Sequence, residues 1–181
     1  MTVQPAHLVA RFFGSLLPRR VSVEDRAWVA SRLDPPERAL WETMPRADQV
    51  ESVGVGRRAE AALARDLAQR DDYVAAALLH DVGKVAAAFG PFRRSLATML
   101  GAVGGGRRAV GDTGGRNGFA RRCALYLDHA AIGADRIQAN GGRTAAAQWA
   151  AVHHDPAAWA ATGIPLDVCR TLARADGERV C

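Results

Sequence analysis

The chain has 181 residues, of which 49% are hydrophobic and 6% aromatic, and its formal net charge is +5 at pH 7. This length suffices for one domain with a sizeable core and is short for two. No apolar run reaches the roughly 20 residues of a membrane span, and the N-terminus lacks the features of a signal peptide, so we expect no membrane partner. A core of alanine, leucine and valine, without persistent β-branched alternation, predicts an all-α fold.

Arginine supplies almost all of the positive charge, because Lys84 is the only lysine. Arginine binds phosphate and carboxylate groups well, so this charge suits a small anionic partner. The basic residues are scattered in pairs without interleaved aromatics, unlike single-stranded nucleic-acid platforms, and a nucleic-acid-binding protein is an interpretation that rests on charge alone. The three cysteines include no close pair, which argues against a disulfide framework or zinc knuckle and predicts a reducing cytoplasm.

The first half of the chain is predicted to begin with an arm and short helices, over residues 1–44, that pack on a core formed by residues 45–181. Ser22 begins one helical pattern, and Asp34-Pro35-Pro36-Glu37 predicts a turn into the next, which Pro45 ends. Asp71 or Asp72 is the predicted N-cap of a later helix that carries the LLHDVGK run near its middle. The predicted helices of this half span residues 22–33, 35–44, 46–69 and 73–88.

The second half contains a change of composition between two helical regions. Residues 101–118 read GAVGGGRRAVGDTGGRNG, which predicts a mobile loop. A disordered insertion is one interpretation of this loop, and a basic lid that meets a phosphate through Arg107, Arg108 and Arg116 is the other. The predicted helices of this half span residues 92–100, 119–128, 131–140, 143–153, 156–161 and 165–177.

The LLHDVGK run, Leu78–Lys84, places a histidine and an aspartate side by side at the end of an apolar stretch. Imidazole nitrogen and carboxylate oxygen are ligands that borderline divalent metals accept. Adjacent residues on a helix point about 100° apart, so the pair needs partners from elsewhere in the chain. Candidate partners are the three later histidines, two of which have an acidic neighbour, and one late aspartate: His129 beside Asp128, His153, His154 beside Asp155, and Asp176.

The LLHDVGK run resembles the signature of the HD-domain metal-dependent phosphohydrolases, and the likeness covers roughly residues 45–180. The resemblance implies a compact multi-helix bundle over residues 45–181. It also implies that His80 and Asp81 are the central ligand pair and that Asp176 is the distant aspartate of the family pattern. The Gly-Tyr-Pro stretch that defines the HD-GYP proteins is absent, so turnover of cyclic di-GMP is not expected.

Further residues are similar to the subset of this family with extra histidines, which includes HD-GYP proteins and symmetrical diadenosine tetraphosphate hydrolases. In DHAAIGADRI, His129 takes the place of the histidine in a His-Pro-x-x-Gly-like segment, with Ala130 instead of proline. The later pair of the subset corresponds to His153 and His154. The resemblance therefore extends the implied ligand set to these three residues.

One position departs from the family pattern. The family's first histidine aligns with Glu51, in VESVGVGRR, about 30 residues before the His-Asp pair. A glutamate can ligate a hard or borderline metal, so Glu51 is a provisional ligand. A glutamate in place of this histidine is also what a site that has lost its catalytic activity would show.

The resemblance implies a hydrolase that cleaves a phosphomonoester, phosphodiester or phosphoanhydride of a nucleotide or small phosphorylated metabolite. One or two divalent transition metal ions are expected, iron or manganese first and cobalt, nickel or zinc as further candidates. Asp81 is the natural bridging ligand, and Lys84, four residues after His80, is placed to donate to a substrate phosphate. The alternative is a catalytically degenerate HD module that binds a nucleotide or a protein partner as a regulator.

Overall fold

A computed structural model describes residues 20–87 and 124–178, which form helices and contain no strand, so the all-α prediction is confirmed. The glycine-rich loop predicted at 101–118 and the helix predicted at 92–100 lie outside these ranges, as do residues 1–19 of the arm. The boundary between residues 44 and 45 stays a prediction. The described α-helices are α1 (Val23–Arg32), α2 (Pro35–Glu42), α3 (Arg46–Ala62), α4 (Arg70–Leu79), α5 (His129–Ala139), α6 (Thr144–Val152) and α7 (Leu166–Asp176), with 3₁₀ helices at Val82–Ala87 and Pro156–Ala161.

The first two helices begin where their sequence signals place them. Ser22 is the N-cap of α1, and its hydroxyl accepts a hydrogen bond from the Asp25 amide at 3.0 Å. Asp34 and Glu37 form a reciprocal capping box at the start of α2, whose first residues are the two prolines. These predictions succeed because capping depends on side chains that are neighbours in sequence.

Helix α3 is shorter than predicted. It ends at Ala62, because Leu63 adopts an extended conformation and is buried in the core. The chain then stays irregular to Gln69, whose φ of 62° lies in the left-handed region. Gln69 is therefore the N-cap of α4, and the prediction of Asp71 or Asp72 as the cap is wrong.

Helix α4 is the centre of the fold. Every residue from Tyr73 to Leu79 is buried, and the helix contacts α1, α2, α3, α6 and α7. A helix that is apolar on all sides belongs in the interior, and its three alanines allow neighbouring helices to approach closely. The fixed position of α4 determines where His80, its C-terminal cap, lies.

The prediction of one continuous helix over residues 73–88 is wrong. The α-helix ends at Leu79, and a 3₁₀ helix follows from Val82. This 3₁₀ helix packs directly on α5, since a Cβ atom at Gly83 would lie 1.9 Å from the His129 carbonyl oxygen and 2.6 Å from the Gly133 nitrogen. The glycine of the LLHDVGK run thus lets two backbones meet beside the candidate site.

The helices after residue 124 follow the predicted pattern closely. Residues 124–127 form a helical turn, and α5, α6, the second 3₁₀ helix and α7 each begin within two residues of prediction. Helix α5 packs on α6 and on the first 3₁₀ helix. None of the described helices is long and apolar enough to cross a membrane.

Candidate metal centre

The candidate ligands lie at helix ends. His80 and His153 are the C-terminal caps of α4 and α6, His129 is the first residue of α5, and Asp176 is the last residue of α7. Helix ends leave backbone groups without intrahelical partners. A polar side chain placed there can bond to such a group and still project toward neighbouring helices.

Each buried histidine makes the same hydrogen bond. The Nδ1 atoms of His80, His129 and His153 lie 2.9, 2.6 and 2.9 Å from the carbonyl oxygen three residues earlier in the chain. A carbonyl oxygen only accepts, so Nδ1 carries the hydrogen in each ring. In a neutral ring this leaves the lone pair on Nε2, which is the form of imidazole that binds a metal.

The Nε2 atoms converge on the Asp81 carboxylate. Asp81 Oδ1 lies 3.4 Å from His129 Nε2 and 3.7 Å from His153 Nε2, while Asp81 Oδ2 lies 3.3 Å from His80 Nε2. His129 Nε2 and His153 Nε2 are 3.4 Å apart, and Asp176 Oδ1 is 3.4 Å from His80 Nε2. For ligands at about 2.1 Å in a tetrahedral site, donor atoms lie about 3.4 Å apart, so these spacings fit a transition metal.

Two overlapping sets of donors can be distinguished. His80, Asp81 and His153 form the first donor group, and His129, His153 and His154 form the second donor group; within each, the ligand atoms lie within 4.8 Å of one another. His153 belongs to both. The buried histidine and aspartate side chains of the described residues could therefore hold a metal ion.

Two atoms in the centre are buried without a hydrogen-bond partner among the described residues. They are His80 Nε2 and Asp81 Oδ1. Buried polar atoms are nearly always hydrogen-bonded, and leaving one unpartnered costs about 1–3 kcal/mol. A cation held by His80, Asp81 and His153 would satisfy both unpartnered atoms, so the donors present fit a divalent metal.

The electrostatics keep the donors in defined charge states. Burial alone would raise the pKa of Asp81, but the His80 imidazole and the Lys84 ammonium group hold it well below its usual range. Burial alone would lower the pKa of His80, but the carboxylates of Asp81 and Asp176 raise it well above its ordinary value. Burial lowers the pKa of His153 to about 2, helped by His80 and His154. Metal binding would therefore displace a proton from His80 but not from His153.

Lys84 lies at the edge of the centre. Its ammonium group forms an ion pair with Asp81 Oδ2 and lies 6.0 Å from the centre of the Tyr126 ring. Burial alone would lower the pKa of Lys84, but Asp81, Tyr126 and Glu51 raise it above its ordinary value. Lys84 is therefore a charged donor beside the metal ligands.

Glu51 does not join the candidate ligands. It is exposed on α3 and lies outside both donor groups, although its charge acts on Lys84. The structure thus brings together seven of the eight residues proposed from the sequence: His80, Asp81, Lys84, His129, His153, His154 and Asp176.

Two residues of this region were not anticipated from the sequence. Glu178 Oε1 lies 2.7 Å from His154 Nδ1, and Tyr126 supplies both the carbonyl that fixes His129 and the ring near Lys84. Tyr126 stands three residues before His129, the spacing that a helical turn needs. Glu178 stands two residues after Asp176, which is the only signal that could have pointed to it.

Comparison of the chain with protein-family models, with curated proteins and with solved structures gives no match. A functional assignment therefore depends on the LLHDVGK resemblance and on the geometry of the two donor groups.

Proposed function

We propose that this protein is a metal-dependent phosphohydrolase of the HD-domain superfamily that acts on a nucleotide or another small phosphorylated metabolite. The observation that carries the proposal is the pair of buried, unpartnered atoms, His80 Nε2 and Asp81 Oδ1, facing two further imidazoles. A mixed set of nitrogen and oxygen donors favours iron or manganese, with cobalt, nickel and zinc as further candidates. The substrate bond is a phosphomonoester, a phosphodiester or a phosphoanhydride.

The residues that would hold one ion are His80, Asp81 and His153, with Asp176 beside His80. The second donor group would hold a second ion. The two oxygens of Asp81 face different imidazoles, as a bridging carboxylate requires. A divalent ion held there would lower the pKa of a bound water from about 15.7 toward neutrality and would offset charge on phosphate oxygens.

Lys84 would bind the substrate phosphate. Its side chain is 16% exposed, and its ammonium group contacts Asp81 at the candidate centre. The raised pKa keeps this group charged at neutral pH. A charged ammonium donor beside the centre supplies the strong hydrogen bond that a phosphate oxygen accepts.

Metal analysis and hydrolysis assays test the proposal. We expect the wild-type protein to bind Mn²⁺ or Fe²⁺ and to hydrolyse p-nitrophenyl phosphate, bis-p-nitrophenyl phosphate or a nucleotide only with the metal. Asp81→Asn should weaken metal binding by at least about 100-fold, since even partners outside the ligand set are worth about 10–100-fold. Asp135→Asn, which removes an exposed carboxylate from the helix that begins with His129, is the matched control. A wild-type protein without divalent metal binding contradicts the proposal.

The second candidate function is a catalytically degenerate HD module that binds a nucleotide or a protein partner as a regulator. The observation that favours it is Glu51, which replaces the family's first histidine and lies outside both donor groups. Metal and nucleotide binding without hydrolysis would support this candidate. Glu51→His separates the two: a strong rise in turnover indicates a degenerate natural site, and a fall indicates that Glu51 takes part in a working one.

A further inference from the structure

His154 is held differently from the three buried histidines. Its side chain is 50% exposed, and its Nδ1 lies 2.7 Å from Oε1 of Glu178, whereas the other three rings use backbone carbonyl groups. The His154 ring nevertheless lies beside the centre, 3.9 Å from the His153 ring and 5.3 Å from the His129 ring between centroids. One carboxylate thus orients the most exposed member of the second donor group.

The position of Glu178 is fixed by the end of α7. The Gly177 amide donates to the Arg174 carbonyl and the Glu178 amide donates to the Ala173 carbonyl, which together form a Schellman motif. Gly177 has a φ of 92°, and a Cβ atom there would meet nothing within 4 Å, so glycine is required for its backbone conformation alone. The turn presents Asp176 to His80 and Glu178 to His154, so one helix end serves both donor groups.

We infer that Glu178 is a positioning residue that prepares His154 to bind a divalent cation in the second donor group; this inference rests on the proposed metal centre. A carboxylate only accepts hydrogen bonds, so the 2.7 Å contact places the hydrogen on Nδ1 of His154 and leaves Nε2 with its lone pair. The same arrangement of carboxylate, histidine and metal recurs in metal sites, where the carboxylate fixes ring orientation and increases ligand basicity. Glu178 therefore determines whether the second donor group has three usable nitrogens.

The tautomer of His154 can be measured without any metal. Two-bond ¹⁵N–¹H correlation spectra of the metal-free full chain at about pH 9, above the ordinary imidazole pKa, report which ring nitrogen carries the hydrogen. We expect the Nδ1–H form in the wild type and a shift toward Nε2–H in Glu178→Ala. Glu178→Gln keeps an accepting oxygen and should restore much of the wild-type pattern. The signal that is missing from the His154→Gln spectrum identifies the resonances of His154. An Nε2–H wild type, or a Glu178→Ala spectrum unchanged at His154, overturns the inference.

Calorimetric titration with Mn²⁺ supplies the second readout. We expect the wild type to bind two equivalents and Glu178→Ala to bind one of them about 10–100-fold less tightly, with the other unchanged. Glu42→Ala removes an exposed glutamate on α2 and is the matched control. A single equivalent in the wild type, or two unchanged equivalents in Glu178→Ala, overturns the inference. A wild type that binds no metal overturns the proposed function as well, while the His154 tautomer still reports on Glu178 separately.

Discussion

Asp81 is the residue on which the candidate centre depends. Its Oδ1 faces His129 and His153, and its Oδ2 faces His80 and the Lys84 ammonium group. A carboxylate that is 6% exposed needs a nearby positive charge, and in the metal-free protein Lys84 and His80 provide it. A divalent ion would take over this role and leave Lys84 available to a substrate.

Replacing Lys84 should separate metal binding from catalysis. The ammonium group repels a cation that shares its carboxylate, so Lys84→Met should bind Mn²⁺ at least as tightly as the wild type. The same variant loses the donor to the phosphate, so we expect kcat to fall by about 10²–10³-fold at saturating metal. Lys84→Arg retains the charge and should keep part of the activity. The measurements are metal titration and steady-state kinetics, and a loss of metal affinity in Lys84→Met would show instead that Lys84 holds Asp81 in place.

The sequence could predict the identity of most site residues but not how they are held. The histidines and aspartates follow from the LLHDVGK resemblance, whereas the backbone carbonyls that fix their rings depend on where helices end. Glu178 was missed because its approach to His154 depends on the left-handed turn at Gly177. The prediction of Glu51 as a ligand rests on alignment alone, and in the structure Glu51 is exposed on α3, outside the donor groups.

At the scale of elements, the break after α4 is what brings the two halves of the centre together. The α-helix ends at Leu79, and Val82–Ala87 form the first 3₁₀ helix, which packs on α5. Gly83 and Gly133 allow these two elements to touch through their backbones. His129 then reaches Asp81 from the start of α5.

Gly83→Ala should therefore damage both stability and the centre. The added methyl group would lie 1.9 Å from a backbone oxygen, which cannot move without shifting α5, so we expect the free energy of unfolding to fall by about 3 kcal/mol or more. Gly54→Ala is the matched control, because its methyl group meets only the mobile end of Arg58 at 3.2 Å and alanine favours a helix interior by about 1 kcal/mol. Urea unfolding measures both variants. A Gly83→Ala protein as stable as the wild type would contradict the close approach.

The prediction of elements succeeded where the signals were local and failed where packing decides. Ser22 and the Asp34–Glu37 box begin their helices through bonds between sequence neighbours. No such local signal marks the end of α3 at Ala62 or the end of α4 at Leu79. The first depends on the burial of Leu63, and the second depends on the close contact of Gly83 with α5. Helical periodicity continues past both points in the sequence, so it predicted longer helices than those present.

At the scale of the whole molecule, two carboxylates join helices α1 and α2 to the helices that follow residue 45. Glu37 is 1% exposed and accepts a hydrogen bond from the Arg143 amide at 2.9 Å, so α2 is tied to the start of α6. Glu60 on α3 accepts hydrogen bonds from Trp28 Nε1 at 3.0 Å and Arg32 Nε at 2.8 Å, so α1 is tied to α3. Both links are partly buried, where paired charges contribute more than at the surface.

The link through Glu60 makes stability depend on pH in a defined direction. Burial alone would raise the pKa of Glu60, but hydrogen bonds from Arg32 and Trp28 lower it below its ordinary value of 4.5. A group whose pKa is lower in the folded state stabilises the protein fully above its unfolded pKa, and this contribution is lost as the pH falls through the folded pKa. We expect Glu60→Gln to be about 2 kcal/mol less stable than the wild type at pH 7, and this difference to shrink below about pH 4.5.

Urea unfolding of both proteins between pH 3 and 7 measures that difference directly. Other carboxylates that titrate in this range act on both proteins and cancel in the comparison. Glu42→Gln, which alters only an exposed pair with Arg38 at 3.9 Å, should differ from the wild type by less than about 0.5 kcal/mol at every pH. A Glu60→Gln difference that stays constant down to pH 3 would mean that the carboxylate is not held in its charged form by α1, and that the link between α1 and α3 rests on apolar packing alone.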